Sequence, residues 1–214
     1  LALADYTSVL TLPDVTAYEK YRAIHNRANV YDFTGDFKMA INEYSIIIDD
    51  YPEELDFDDL AITYRARGKS HESLEQYDSV LSDYNKAVKL DPEEVNNYEY
   101  RADLYALLED YSKAFLDYSK CIELSPNSAL YLNNRGDFHY YDMSENELAL
   151  ADYTSVLTLP DVTAYGKCRA IHNRANVYDF TGDFELAIKE YSIIIDDYPE
   201  ELDFDDLAIT YRAR

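Results

Sequence analysis

Residues 95–128 read VNNYEYRADLYALLEDYSKAFLDYSKCIELSPNS, and this stretch decides the fold. Its residues recur at the i, i+3, i+4, i+7 spacing that lines one face of an α-helix. Two such stripes follow each other: Tyr98, Arg101, Ala102 and Tyr105, and then Tyr111, Ala114, Tyr118 and Cys121. Pro126 stops the second stripe, because proline cannot continue a helix. Neither stripe alternates with period two, so the stretch predicts two helices joined by a turn.

The same pattern recurs along the chain with a period of 34 residues; for example, NKAVKLDPEE at 85–94 returns as SKCIELSPNS at 119–128. Five full repeats and two partial repeats follow from this register: 21–54, 61–94, 95–128, 129–162 and 168–201, with 1–15 and 208–214 as the partial ones. A fixed period of this length is typical of solenoid proteins, in which each unit buries its apolar face against the next.

The chain also contains a longer duplication. The sequence of residues 1–67 is repeated at residues 148–214. The two copies differ at five positions: Glu19/Gly166, Tyr21/Cys168, Lys38/Glu185, Met39/Leu186 and Asn42/Lys189. We expect these positions to lie outward or in an insert, and the two copies to have nearly the same shape. Cys168 is therefore predicted to lie on the surface.

Inserts at 55–60 and 163–167 separate some of the repeats. No helix breaker lies between Val15 and Phe33, so we expect the first helix of repeat 21–54 to begin about a turn early. The insert before repeat 61–94 has the same character. A loose loop is the alternative for these segments.

One place in the first helix of every repeat is small, and one place in the second helix is a tyrosine. The small residues are Ala28, Gly68, Ala102, Gly136 and Ala175, and the tyrosines are Tyr44, Tyr84, Tyr118, Tyr153 and Tyr191. Glycine inside a helix costs about 1 kcal/mol relative to alanine, so its use indicates that the second helix crosses there at close range. In repeat 61–94 no glycine marks the turn near residues 72–75, and a single long helix is the alternative there.

These features together resemble the tetratricopeptide repeat (TPR) family. The resemblance implies an all-α fold, a right-handed α-solenoid (superhelix) of helix-turn-helix repeats, whose first helices line a concave groove. It also implies a scaffold that binds a peptide or protein segment in that groove, not an enzyme.

The chain departs from the commonest family pattern at two places. An arginine precedes the small residue in every repeat, and an acid precedes the tyrosine in every repeat: Arg27, Arg67, Arg101, Arg135, Arg174 and Arg214, and Asp5, Glu43, Asp83, Asp117, Asp152 and Glu190. We expect each arginine to pair with such an acid, in its own repeat or a neighbouring one, as a structural strut. A ligand-binding role for these arginines is the alternative.

Composition excludes several classes of function. The formal net charge is −24, which repels nucleic acid and anionic membrane surfaces. No apolar run is long enough to span a membrane, and no signal peptide is visible. We find no nucleophile beside a base, no glycine-rich phosphate loop and no metal-spaced His or Cys cluster, so no catalytic residue, cofactor or metal is expected. His71, His139 and Cys121 are predicted to be packed. The compartment stays open, with the cytoplasm as the default.

The family resemblance assigns certain places of the first helix to the groove. In this chain the candidate peptide-binding residues are Arg22, His25, Asn29, Arg65, Lys69, Asp103, Asp137, Tyr140, Arg169, His172, Asn176 and Arg212. The first five form a basic island, which Arg169, His172, Asn176 and Arg212 repeat in the second copy. They resemble the carboxylate clamp that holds a peptide C-terminus in some family members, although His25 stands where that clamp usually has lysine. A solvated mixed-charge face is the alternative.

A second stretch of the groove, in repeats 95–162, has the opposite chemistry. It offers Glu99, Asp103, Asp137, Tyr140 and Tyr141, which suit a basic or arginine-bearing peptide. The expected partner is therefore a protein or peptide. Two alternatives stay open: a structural solenoid that associates end to end with copies of itself, and a regulatory arm of a larger protein.

Overall fold

A computed structural model describes residues 2–51, 55–198 and 200 of the chain. Within these residues the chain forms eleven α-helices and no strand. The helices are α1 (Ala2–Val9), α2 (Ala17–Phe33), α3 (Phe37–Asp50), α4 (Phe57–Glu72), α5 (Tyr77–Leu90), α6 (Val95–Leu107), α7 (Tyr111–Leu124), α8 (Ala129–Tyr141), α9 (Asn146–Thr158), α10 (Ala164–Thr181) and α11 (Phe184–Asp197). The predicted helix-turn-helix repeats are therefore present. The partial repeat 208–214, with Arg212, lies outside the described residues.

The chain divides into two compact units, residues 1–104 and 105–214, with the boundary inside α6. Unit 1 contains the hairpins α2–α3 and α4–α5. Unit 2 contains the hairpins α8–α9 and α10–α11. Repeats 21–54 and 168–201, which are copies of each other, thus fall in different units.

The first helices after the inserts begin early, as expected from the sequence. Helix α2 begins at Ala17, α4 at Phe57 and α10 at Ala164, each four residues before the nominal start of its repeat. Thr16 caps α2 through a reciprocal capping box: the backbone N–H of Glu19 donates to Thr16 Oγ1 over 3.2 Å, and Thr16 N–H donates to Glu19 Oε2 over 2.9 Å. The loose-loop alternative is therefore wrong for α2.

Each hairpin turn contains one residue with a left-handed backbone. The residues and their φ angles are Gly35 (81°), Glu75 (57°), Glu109 (59°), Ser144 (55°) and Gly182 (84°). Helix α4 ends at Glu72 and α5 begins at Tyr77, so a turn forms in repeat 61–94 even without glycine. The alternative of a single long helix there is wrong.

In four repeats the tyrosine of the second helix packs against the small place of its own first helix. Tyr44, Tyr84 and Tyr153 are at most 2% exposed. A Cβ atom placed on Gly68 would lie 2.5 Å from Cε1 of Tyr84, and one placed on Gly136 would lie equally close to Cε1 of Tyr153. The close crossing inferred from the sequence is confirmed at these two glycines, because a Cβ atom at either one would force the ring to shift.

One prediction about the duplicated copies is wrong. Cys168 is buried, at 3% exposure, and its counterpart Tyr21 is buried at 5%. Each packs with the tyrosine of its own second helix, Tyr191 or Tyr44, in one core cluster. The early helix start explains the burial, because it places a full helical turn before this position and keeps it within the packed hairpin. His139 is buried at 4%, as expected, and Cys121 is fully buried.

The expected pairing of arginine with acid is confirmed in four repeats. In each, the arginine of the first helix forms an ion pair with the acid of the second helix of the same repeat: Arg27–Glu43 (2.6 Å), Arg67–Asp83 (2.7 Å), Arg135–Asp152 (2.7 Å) and Arg174–Glu190 (2.7 Å). The acids are nearly buried, with side chains 4–9% exposed, and the arginines keep 15–23%. Each pair therefore lies at the surface between two helices, with the arginine stem covering it.

These four arginines and Arg101, which holds the same place in its repeat, also reach the preceding second helix. Their Nη1 atoms donate to the residue after its tyrosine: Arg27 to Thr7 (3.3 Å), Arg67 to Ser45 (3.0 Å), Arg101 to Asn85 (2.8 Å), Arg135 to Ser119 (3.2 Å) and Arg174 to Thr154 (3.3 Å). In the four repeats with a described ion pair, one guanidinium thus joins three helices. We call this arrangement the arginine strut.

Substitution of Gly68 by alanine tests the close crossing. We expect Gly68→Ala to lower the free energy of unfolding by about 1–2 kcal/mol, because overpacking costs more than the roughly 1 kcal/mol gained in helix propensity. Urea denaturation followed by circular dichroism measures the change. Ala175→Gly, at the same place of another repeat, controls for propensity. A Gly68→Ala variant more stable than wild type would show that the ring contact does not select glycine.

Removal of one partner of a strut tests its role. We expect Asp152→Leu to lower the free energy of unfolding by about 2–4 kcal/mol, because Arg135 then keeps a half-buried, unpaired charge. The double variant Arg135→Leu with Asp152→Leu should recover more than half of this loss, since no uncompensated charge remains. Urea denaturation of the wild type and all three variants gives the coupling energy. Additive effects of the two single changes would contradict the strut.

Candidate functional site

The tyrosines that pack inside the hairpins end at the face formed by the first helices. Their hydroxyl groups donate to carbonyl or carboxylate oxygens there: Tyr44 to Asn29 (2.6 Å), Tyr84 to Glu72 (3.0 Å), Tyr153 to Asp137 (2.7 Å) and Tyr191 to Asn176 (2.7 Å). Burial, followed by the charge of Asp179, raises the pKa of Tyr191 to about 12, so its hydroxyl stays a donor at neutral pH. Three predicted peptide-binding residues, Asn29, Asp137 and Asn176, are thus held in place by a buried ring.

Two cations of α4 lie over one aromatic ring in unit 1. The guanidinium carbon of Arg65 is 5.9 Å and Nζ of Lys69 is 5.5 Å from the centre of the Tyr100 ring. Arg65 Nη1 also donates to Asn97 Oδ1 over 2.7 Å. No carboxylate among the described residues lies within ion-pair distance of Arg65 or Lys69. We call Arg65, Lys69 and Tyr100 the basic face.

The predicted residues of α2 lie beside this face in the same unit. Helices α2 and α4 touch through Ser70, whose hydroxyl donates to Asp32 Oδ1 over 2.6 Å. Arg22 is exposed to solvent. His25 is packed between the rings of Tyr21 and Tyr44, with centroid distances of 5.6 and 5.7 Å.

Burial changes what His25 contributes. Desolvation lowers the pKa of its imidazole, and its Nδ1 atom is buried without a hydrogen-bond partner. His25 is therefore neutral at pH 7 and adds no positive charge to the basic face. The charge there comes from arginine and lysine alone.

In unit 2 the corresponding region is a hydrogen-bonded network around Asp137. This carboxylate pairs with Arg169 over 2.6 Å, and Asn173 Nδ2 and the hydroxyl of Tyr153 donate to its Oδ1 atom, each over 2.7 Å. Arg169 also donates to Asn134 Oδ1 over 3.1 Å. Arg169 is thus balanced by an aspartate, and its counterpart Arg22 is exposed.

The remaining predicted residues are distributed over both units. His172 lies edge-on to the Tyr191 ring at 6.1 Å and beside Asn176, in unit 2. Tyr140, also in unit 2, contacts the rings of Tyr141 and Phe180. Asp103 is exposed on α6 in unit 1. Arg212 lies outside the described residues.

Sequence reasoning missed four residues that contribute to these arrangements: Asn97, Tyr100, Asn173 and Phe180. Tyr100 and Asn173 occupy the sixth place of a repeat and Asn97 the third, none of which belongs to the groove places that the resemblance supplied. Phe180 does occupy a groove place. Its signal was an aromatic residue at the thirteenth place of the first helix, which Phe33 and Tyr141 share.

No group of three or more His, Cys, Asp or Glu side chains in residues 2–51, 55–198 and 200 could hold a metal ion. Cys121 and Cys168 are buried and form no disulfide with each other. None of the described helices combines the length and the hydropathy needed to cross a bilayer.

Three of the repeats match a known repeat family. A family model described as "Tetratricopeptide repeat" matches residues 63–94, 98–128 and 169–192. The mitochondrial import receptor subunit TOM70 of Homo sapiens is 32% identical over 89 residues, which make up 42% of this chain and 14% of that protein.

Two solved structures share the fold at low sequence identity. BtubC (BKLC) from P. vanneervenii aligns with a TM-score of 0.74 and 17% identity, over 100% of this chain and 88% of that one. YrrB, described as a TPR protein with an unusual peptide-binding site, aligns with a TM-score of 0.61 and 18% identity, over 97% and 96%. The all-α solenoid fold expected from the sequence is thereby confirmed. The family match shows that residues 63–94, 98–128 and 169–192 of this chain are tetratricopeptide repeats.

Proposed function

We propose that the chain is a non-enzymatic scaffold that binds a peptide or protein segment on the face of its first helices. Tetratricopeptide repeats support a protein-interaction role in general. The finer proposal is that the basic face of unit 1 holds a carboxylate group of the bound segment. It rests on one observation: neither Arg65 nor Lys69 forms an ion pair among the described residues, in a chain of net charge −24.

The arrangement of these two cations is costly for the fold. Like charges four residues apart on one helix repel each other by a few tenths of a kcal/mol. The chain has 43 acidic side chains, yet neither cation lies within ion-pair distance of one in the described residues. A carboxylate supplied by a ligand would relieve the repulsion. Arginine suits this role because its planar guanidinium can donate two parallel hydrogen bonds.

Tyr100 orients the two cations. Its ring attracts both charged groups and limits the directions that their flexible side chains can take. Ordering before binding reduces the entropy that a ligand must overcome. Asn97 fixes one terminal nitrogen of Arg65. The other nitrogens of that guanidinium stay available to a partner.

The relationship to other proteins supports the class of partner only. YrrB is described as having a peptide-binding site, and it shares the fold of this chain. TOM70 is described as an import receptor subunit, and its similarity covers 14% of its length. Both descriptions agree with a protein or peptide partner.

Neutralisation of the basic face tests the finer proposal. A short fluorescein-labelled peptide with two glutamates and a free C-terminal carboxylate serves as the probe, and fluorescence anisotropy at physiological salt measures its binding. We expect the double variant Arg65→Gln with Lys69→Gln to bind at least about tenfold more weakly, because charge-assisted hydrogen bonds contribute about 1.5–3 kcal/mol each. The amidated peptide should bind more weakly to the wild type.

A matched control separates this site from general electrostatics. Lys113→Gln with Lys120→Gln removes the same charge from α7, where each lysine forms an ion pair three residues away on its own helix, with Asp110 and Glu123. This control should retain wild-type affinity. Equal losses in the two double variants would contradict a specific carboxylate site. Absence of binding to the wild type would eliminate the basic face but not the scaffold role.

A further inference from the structure

Three aromatic side chains form an exposed group in unit 2. Tyr140 and Tyr141 are the last residues of α8, and Phe180 lies near the end of α10. The rings of Tyr140 and Tyr141 are 4.7 Å apart at 65°, and those of Tyr140 and Phe180 are 5.9 Å apart at 86°. Tyr141 is 66% exposed and Phe180 71%. We call these three residues the aromatic cluster.

The exposure of the cluster needs an explanation. Buried aromatic residues in this chain fill the hairpin interiors, as Tyr153 does. The cluster instead places rings in water, where their burial by a partner would be favourable. Its edge-to-face contacts hold Tyr140 between the other two rings, so the faces of Tyr141 and Phe180 are presented in a fixed arrangement.

The electrostatic surroundings indicate the charge of that partner. The ring faces carry negative partial charge. Burial raises the pKa of Tyr140, and Tyr141 and then the charge of Asp179, which precedes Phe180, add smaller effects. Burial likewise raises the pKa of Tyr141, and the charge of Asp137 adds to it. Asp137 is already paired with Arg169, and Asp179 has no ion pair among the described residues.

We propose that the aromatic cluster and Asp179 bind an arginine side chain of a basic segment in a partner protein. A guanidinium stacks on aromatic faces and forms a bidentate pair with a carboxylate, so it satisfies both parts of the site. The proposal rests on the proposed function, in that the first-helix face binds a peptide. It adds a second site of opposite charge preference in a different unit.

The long duplication supplies a matched residue for a control variant. Phe33 and Asp32 are the counterparts of Phe180 and Asp179. Phe33 is 92% exposed, and in the part of the chain that the structure describes no ring stacks on it. Phe33 is thus an exposed phenylalanine in the same local sequence that does not belong to the aromatic cluster.

The test uses the full chain and a short fluorescein-labelled peptide of alternating arginine and serine, with a citrulline twin that lacks the charge. We expect Tyr141→Leu with Phe180→Leu to weaken binding of the arginine peptide by about fivefold or more at physiological salt, because two cation–π contacts are lost. Phe33→Leu should leave the affinity unchanged. The variants alter no charge, so nonspecific attraction to the acidic chain stays constant. Circular dichroism confirms that each variant is folded.

Each other outcome would overturn the proposal. Equal affinity of wild type and double variant would mean that the net charge alone binds the peptide. Equal binding of the citrulline twin would indicate apolar docking without charge recognition. A wild-type dimer in light scattering that dissociates in the double variant would identify a second copy of the chain as the occupant. Absence of arginine-peptide binding to the wild type would also eliminate the site.

The experiments test the basic face and the aromatic cluster separately. Arg65→Gln with Lys69→Gln should bind the arginine peptide at least as tightly as the wild type does, because neither residue belongs to the aromatic cluster and the chain becomes more negative. Loss of the glutamate-peptide signal alone would therefore remove the basic face and leave the aromatic cluster standing. The reverse pattern would remove only the aromatic cluster.

Discussion

The contact between one tyrosine ring and one small residue sets the geometry of every hairpin in which it is described. A ring that lies where a Cβ atom would clash fixes how closely the two helices approach, as Gly68 and Tyr84 illustrate. The same tyrosine then passes through the hairpin and ends with its hydroxyl on the first-helix face. A single tyrosine therefore both packs the hairpin and positions a residue of the candidate site. Substitution of Asn29 or Asp137 would also remove the hydrogen-bond acceptor of a buried tyrosine hydroxyl.

The arginine strut also neutralises some of the excess acidic side chains. A chain of net charge −24 would repel itself if its acids all lay on its surface. The strut places one acid of each of four repeats in a nearly buried ion pair and uses the same guanidinium to reach the preceding helix. The cations that remain unpaired within the described residues, such as Arg65 and Lys69, therefore stand out as candidates for a role outside the fold.

Interactions within a repeat could be predicted from the sequence, and those between repeats largely could not. The pairing of Arg135 with Asp152 follows from a spacing that recurs in every repeat. The pairing of Arg169 with Asp137 and the contact of Tyr140 with Phe180 join residues 32 and 40 positions apart, and they depend on the angle between successive hairpins, which no local pattern encodes. Burial of Cys168 was missed for a related reason, because the extra turn of α10 covers a position that the repeat register treats as a boundary.

The reach of the strut has an evolutionary consequence. The guanidinium group of each strut contacts its own hairpin and the helix before it. Arg27 donates to Thr7, and its counterpart Arg174 donates to Thr154, which is the equivalent threonine in the second copy of the long block. A genetic exchange that adds or deletes one complete block of 147 residues would carry both halves of this junction together. Recombination can then change the number of blocks while each arginine keeps its hydrogen bond to the threonine of the preceding helix. Only an exchange that adds or removes part of a block would place an arginine beside a different residue.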